Sequence, residues 1–170
     1  MKRASLAVVL ALIAAGCGSS STAPTQPANP VFTQTLLPAN ETPSPITAPD
    51  PEAGATGTAT ITFVTTKDAS GNITAATATA VVTLSGFPAG STITAAHIHT
   101  GAAGVGGSVF IPFPPGTITP ANGTFTWTAN PAPTADQVNA ILGNPSGYYF
   151  NVHTALHAGG VMRAQLVRTQ

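Results

Sequence analysis

Histidine supplies the clearest chemistry in this chain. His97 and His99 flank one residue in Ala96-His97-Ile98-His99. Side chains alternate across a strand, so both imidazoles project from one face and Ile98 from the other. Two imidazoles at that spacing reach a single metal ion. In Tyr149-Phe150-Asn151-Val152-His153-Thr154 the same parity puts Phe150 and Val152 on a core face and Asn151 and His153 on the opposite one. In Gly159 to Leu166, Met162 and Leu166 point one way, and Arg163 and Gln165 the other. Two chemistries fit these residues. The first is a buried polar network in which His97, His99, His153 and Arg163 bond to each other, to Asn151 and to backbone. Glu41 then serves as a cap or as a partner for Arg163. Mutually satisfied groups of this kind pin strand register. The second is a copper or zinc site built from His97, His99 and His153, with His157 as a fourth ligand. Ring nitrogens converging about 2 Å from one point mark the metal site. Rings donating to carbonyls mark the network.

Other chemistries find less support. Ser91, Ser108 and Ser146 are the nominal nucleophiles, and none sits in a G-x-S-x-G elbow. Glu41 and Glu52 are the two glutamates, without a recognisable acid–base context. Copper/zinc superoxide dismutases also carry a His-x-His pair on a sandwich strand. This chain lacks a second His/Asp cluster and a cysteine pair, so the analogy is partial and the reading is non-enzymatic. No Gly-rich phosphate loop links a strand to a helix.

These side chains need strands to position them, and β-signals dominate from Val31 onward. Thr58 to Thr66 alternates, with Ile61 and Phe63 on one side and Thr60 and Thr62 on the other. Asp68 to Asn72 is a turn cluster, and Ile73 to Leu84 completes a hairpin. Further strands are expected over Ile93 to Thr100, Val109 to Phe113, Gly123 to Ala129, Tyr148 to Thr154 and Val161 to Val167. Phe125 and Trp127 share a face and read as core. The Gly101 to Gly107 loop reads as a turn, with binding as its functional alternative. Thr134 and Gln137 have capping-box spacing. Val138, Ile141 and Leu142 recur on one helical face, and Gly143 can end that helix. The expectation is an all-β domain: an antiparallel, Greek-key-like sandwich or barrel with one short helix near 134–143.

Composition fits a protein working outside the cytoplasm. Charged residues make up 6% of the 170, and the formal net charge is zero. Without Lys2 and Arg3, three basic residues (Lys67, Arg163, Arg168) face five acidic ones, a net of −2. No basic patch is available to neutralise phosphates, so no nucleic-acid partner is expected. Solubility has to come from hydroxyls and amides. One cysteine allows no intrachain disulfide and asks for another explanation.

Residues 1–17 give one. Lys2 and Arg3 precede an apolar run from Leu6 to Ala15, too short to span a bilayer as an anchor. The run ends Ile13-Ala14-Ala15-Gly16-Cys17, which resembles the lipobox of bacterial lipoproteins, with Ala14 where Leu is usual. The resemblance implies a signal peptide over 1–16 and lipid on Cys17. Each buried acyl methylene contributes about 0.8 kcal/mol, so several chains on one Cys hold a protein at a membrane. Gly18 follows the Cys, which resembles cargo sorted to an outer membrane where one exists. Residues 17–30 then form a lipidated Cys with a Ser/Pro-rich tether, and 31–170 the domain.

Three motifs in that domain resemble the CHRD family, named after chordin. They are Leu36-Leu37-Pro38-Ala39-Asn40-Glu41-Thr42-Pro43, then Ala96-His97-Ile98-His99-Thr100-Gly101, then Tyr149-Phe150-Asn151-Val152-His153-Thr154 with Gly160 and Arg163-Ala164-Gln165-Leu166. The resemblance spans about residues 33–168. It implies a non-enzymatic binding or scaffold module with an extracellular protein or matrix partner and no cofactor. Copper or zinc binding is the alternative. Ala164 stands where the family usually has Gly, Val161 where an acidic residue is common, and His157-Ala158 where Asn-Pro is usual. If that acidic residue normally pairs with the Arg, Arg163 must find another partner here.

Overall fold

The strands follow the expected alternation closely. The computed structural model describes residues 29–115, 118 and 123–170, so the leader, Cys17 and nearly all of the tether lie outside the described residues. The described strands are β1 (Val31–Leu36), β2 (Thr56–Lys67), β3 (Ile73–Ser85), β4 (Ile93–Thr100), β5 (Val109–Pro112), β6 (Phe125–Ala129), β7 (Tyr148–Thr154) and β8 (Met162–Gln165), with one α-helix, α1 (Ala135–Gly143). They form two antiparallel sheets, in the orders β1-β2-β3-β6 and β5-β4-β7-β8. The chain crosses between sheets from β3 to β4, from β5 to β6 and from β6 to β7.

The architecture is therefore a sandwich, and of the two expected forms the barrel is excluded. One side is nevertheless laced shut. Bridges join Leu37 to Arg163 and Phe32 to Arg168, and Thr33 donates to the Val167 carbonyl at 3.1 Å. This pairing covers what would be an open edge of β1.

Parity builds the core. Phe32, Ile61, Phe63 and Leu84 of the first sheet face Ile98, Phe150, Val152 and Met162 of the second, all fully buried. Phe32 and Phe63 meet edge to face at 5.8 Å, a favoured aromatic geometry. Phe125 and Trp127 are core residues as the alternation requires. The outer face of the first sheet is threonine. Thr35, Thr58, Thr83 and Thr126 form one cross-strand row, and all four are exposed. Hydroxyls thus supply the polar surface that charge does not.

Two local readings are met in detail. Asp68 accepts from the Ser70 and Asn72 amides at 2.9 Å, and Gly71 takes φ +87° to close the β2–β3 hairpin. In α1, Thr134 Oγ1 accepts from the Gln137 amide, and Gln137 Oε1 accepts from the Thr134 amide, a complete capping box. Val138 and Ile141 are buried against the sandwich. Gly143 is the last helical residue, and Asn144 is the C-cap.

The two faces of β2 predict unequal costs. Phe63→Ala should lose about 3–5 kcal/mol of unfolding free energy through its cavity. Val64→Ala, on the exposed face, should lose less than about 1 kcal/mol. Urea denaturation of both variants measures this, and equal losses would contradict the register.

Candidate functional site

Register assembles the polar residues into rows. β4 and β7 pair His97 with Asn151 and His99 with Tyr149, and β7 and β8 pair Asn151 with Arg163 and Tyr149 with Gln165. Cross-strand neighbours on one face lie about 4.5–5.5 Å apart, so two continuous rows result, with His153 next along β7. All these side chains lie on the outer face of the second sheet, away from the sandwich core. Yet His99, Asn151, His153 and Arg163 are buried, and His97 is half-buried. Covering loops bury them.

The three imidazoles converge. Ring centroids are 5.3 Å apart for His97 and His99, 4.9 Å for His97 and His153, and 5.7 Å for His99 and His153. One nitrogen from each ring lies within 4.8 Å of the others. His157 does not join them. Its Nε2 is 3.1 Å from Asp50 and 3.8 Å from Glu52, because the 155–160 turn aims it at the 49–53 segment. The expected fourth ligand is therefore elsewhere.

Carbonyl partners fix the tautomers. His99 Nδ1 lies 3.0 Å from the Gly107 carbonyl, and His153 Nδ1 lies 3.0 Å from the Ala158 carbonyl. A carbonyl only accepts, so both Nδ1 atoms carry hydrogen and both Nε2 atoms keep a lone pair. His97 Nδ1 then donates to His153 Nε2 at 3.1 Å. His99 Nε2 is buried and has no partner. Convergence and carbonyl bonding therefore coexist in His99 and His153, one nitrogen of each ring serving each.

Burial keeps the cluster neutral. Desolvation, then the neighbouring His153 and His99, pushes the His97 pKa down to about 4. Desolvation also lowers His99 and His153, opposed by their carbonyl bonds.

Arg163 anchors the cover. Its guanidinium donates to Thr42 Oγ1 at 2.6 Å, to the Val105 and Ala102 carbonyls at 3.1 and 3.2 Å, and to Gln165 Oε1 at 3.0 Å. It also lies over the Tyr149 ring, 3.3 Å from the centroid. Tyr149 stacks on His99 at 5.0 Å and accepts from the Gly107 amide through its hydroxyl. These bonds answer the missing acidic neighbour: Val161 is buried, and loop carbonyls take the guanidinium instead. Glu41 lies close enough to feel Arg163 but is not among its hydrogen-bond acceptors. Its backbone amide instead closes the 3₁₀ turn Pro38–Asn40.

Sequence reasoning missed several of these partners. Gly107 was legible only as the end of a Gly-rich loop, read as a turn or as a binding loop. A Cβ there would meet the Thr100 carbonyl oxygen at 1.8 Å, so only glycine allows this approach. Gly160, at φ +130°, similarly lets Asn151 and Glu41 close in. Glu52 is buried, accepting from Ser91 Oγ at 2.9 Å and Thr154 Oγ1 at 2.7 Å. Tyr149 had a signal, since it shares parity with Asn151 and His153.

Two predictions follow from this geometry. Lysine cannot reproduce the planar fork, so Arg163→Lys should cost about 2–4 kcal/mol and speed amide exchange over 102–107. Burial raises the Glu41 pKa from its ordinary 4.5 to about 7. The folded chain then holds a proton that the unfolded chain has released, so this group's contribution falls as pH rises from about 4.5 to 7. Relative to Glu41→Gln, the native chain should lose roughly 2–3 kcal/mol across that window, measured by denaturation at each pH. A pH-independent difference would contradict a buried carboxyl.

The chain matches no curated protein and no solved structure. The description of the CHRD domain matches residues 32–166, from β1 through the Arg163-Ala164-Gln165-Leu166 segment. That span includes every residue of the two rows across the second sheet, and the chain belongs to the CHRD domain family.

Proposed function

We propose that this chain is a cell-surface lipoprotein that presents one CHRD domain as a non-enzymatic binding or scaffold module. The observation that carries the reading is the fixed loop surface over the second sheet. The segments around Thr42, Val105 and Ala158 are held by Arg163 and His153, so their shape is set before any partner arrives. Pre-organised loops on a rigid sheet reduce the ordering cost of binding. A cleft of about 360 Å³ lies between Glu41, Thr42, Gly104 and Gln165, and another of about 520 Å³ between Thr42, Pro45, Leu156 and Gly160. Val105 and Leu156 are more than half exposed beside them. Exposed apolar side chains beside partly polar clefts fit a protein or matrix partner. The lipobox-like residues up to Cys17 support anchoring, with the tether leading into β1.

Cell fractionation tests the anchor. Native protein should sediment with membranes and incorporate labelled palmitate, and Cys17→Ala should be soluble and unlabelled. Membrane retention of the unlabelled variant would contradict lipid anchoring. Photo-crosslinking tests the surface. A crosslinker at Val105 or Leu156 should give a discrete adduct on cells, while Val81, exposed on the first sheet, should not. Equal labelling, or none, would overturn the loop surface as the binding face.

A further inference from the structure

The His97, His99 and His153 cluster carries more than the scaffold reading uses. His99 Nε2 is a lone pair sealed from water with no donor to meet it, on a side chain 7% exposed. A buried unsatisfied acceptor costs about 1–3 kcal/mol unless something fills its place. It belongs to a group whose nitrogens lie within 4.8 Å of one another, with His97 Nδ1 and His153 Nε2 already at 3.1 Å. A tetrahedral ion with nitrogen ligands at about 2.0–2.1 Å spaces them about 3.4 Å apart. Small ring rotations, with the His97 hydrogen moved from Nδ1 to Nε2 by exchange with solvent, therefore suffice to seat one ion. His97, half-buried, is the side open to its entry.

The outer bonds match as well. Metal-ligating imidazoles nearly always donate their second N–H to a carbonyl or carboxylate, which fixes ring and tautomer. The Gly107 and Ala158 carbonyls do this for His99 and His153. The three ligands are neutral nitrogens, and the Arg163 guanidinium stands over the neighbouring Tyr149 ring. Such a site disfavours calcium and magnesium, which need charged oxygen ligands, and favours ions that bond imidazole covalently. We propose that His97, His99 and His153 bind one copper or zinc ion on the outer face of the second sheet. The proposal does not rest on the scaffold role or on lipid anchoring.

Titration calorimetry of the purified, detergent-solubilised protein with Zn(II), Cu(II), Mg(II) and Ca(II) at neutral pH tests it. Zinc or copper should bind one to one with a Kd at or below about 1 µM, and magnesium and calcium should not bind. His97→Gln removes the least buried ligand and should weaken binding at least about 100-fold, with circular dichroism confirming the fold. His157→Gln should leave affinity unchanged. X-ray absorption of the loaded protein should give three imidazole nitrogens at about 2.0 Å. No saturable binding would overturn the proposal. So would binding that survives His97→Gln in folded protein, or that is lost with His157→Gln.

Discussion

A guanidinium cannot shed its charge inside a protein, so a buried one must be met by acceptors wherever it lies. Arg163 is 2% exposed, and its demand organises the covered face of this sandwich. Its own strand supplies Gln165, and two loops distant in sequence supply Thr42, Ala102 and Val105. Once Ala102 and Val105 are taken, the loop stands where Gly107 can accept from His99 and donate to Tyr149. The strap at Thr42 continues into the segment where Asp50 and Glu52 meet His157 and Thr154. The cover is a chain of hydrogen bonds running back to one cation, with His99 Nε2, Glu41 Oε1 and Asn151 Oδ1 buried without a partner.

The sandwich uses its two outer faces differently. On the first sheet, rows of threonine meet water directly, and no loop is needed to cover them. On the second, loops bury histidine, asparagine and arginine against a layer already packed on its other side. Placing polar residues between a sheet and its loops costs desolvation, which the hydrogen bonds largely recover. What results is a hydrogen-bonded loop surface with a cluster of neutral imidazoles beneath it.

Much of this was legible from alternation alone. The bounds of β4 and β7 read directly, because His97, His99, Asn151 and His153 interrupt runs of buried apolar residues with period two. The capping box at Thr134 was equally local. β1 had no such delimited signal, since Gln34 occupies a core-facing position where an apolar residue would mark the strand. The fate of His157 depended on the fold of the 155–160 turn, which spacing does not encode. Gly107 and Glu52 act through partners 8 and 102 residues away, distances at which no periodicity reaches. Sandwich and barrel also share one strand pattern and differ only in which edges pair.

The central claim is that loop carbonyls hold His99 and His153 so that their Nε2 lone pairs turn inward. Long-range ¹H–¹⁵N correlation of the histidine rings at neutral pH measures this directly. Both residues should give Nδ1-protonated, neutral tautomer patterns with unprotonated Nε2. Nε2-protonated rings, or charged imidazolium at that pH, would contradict the account.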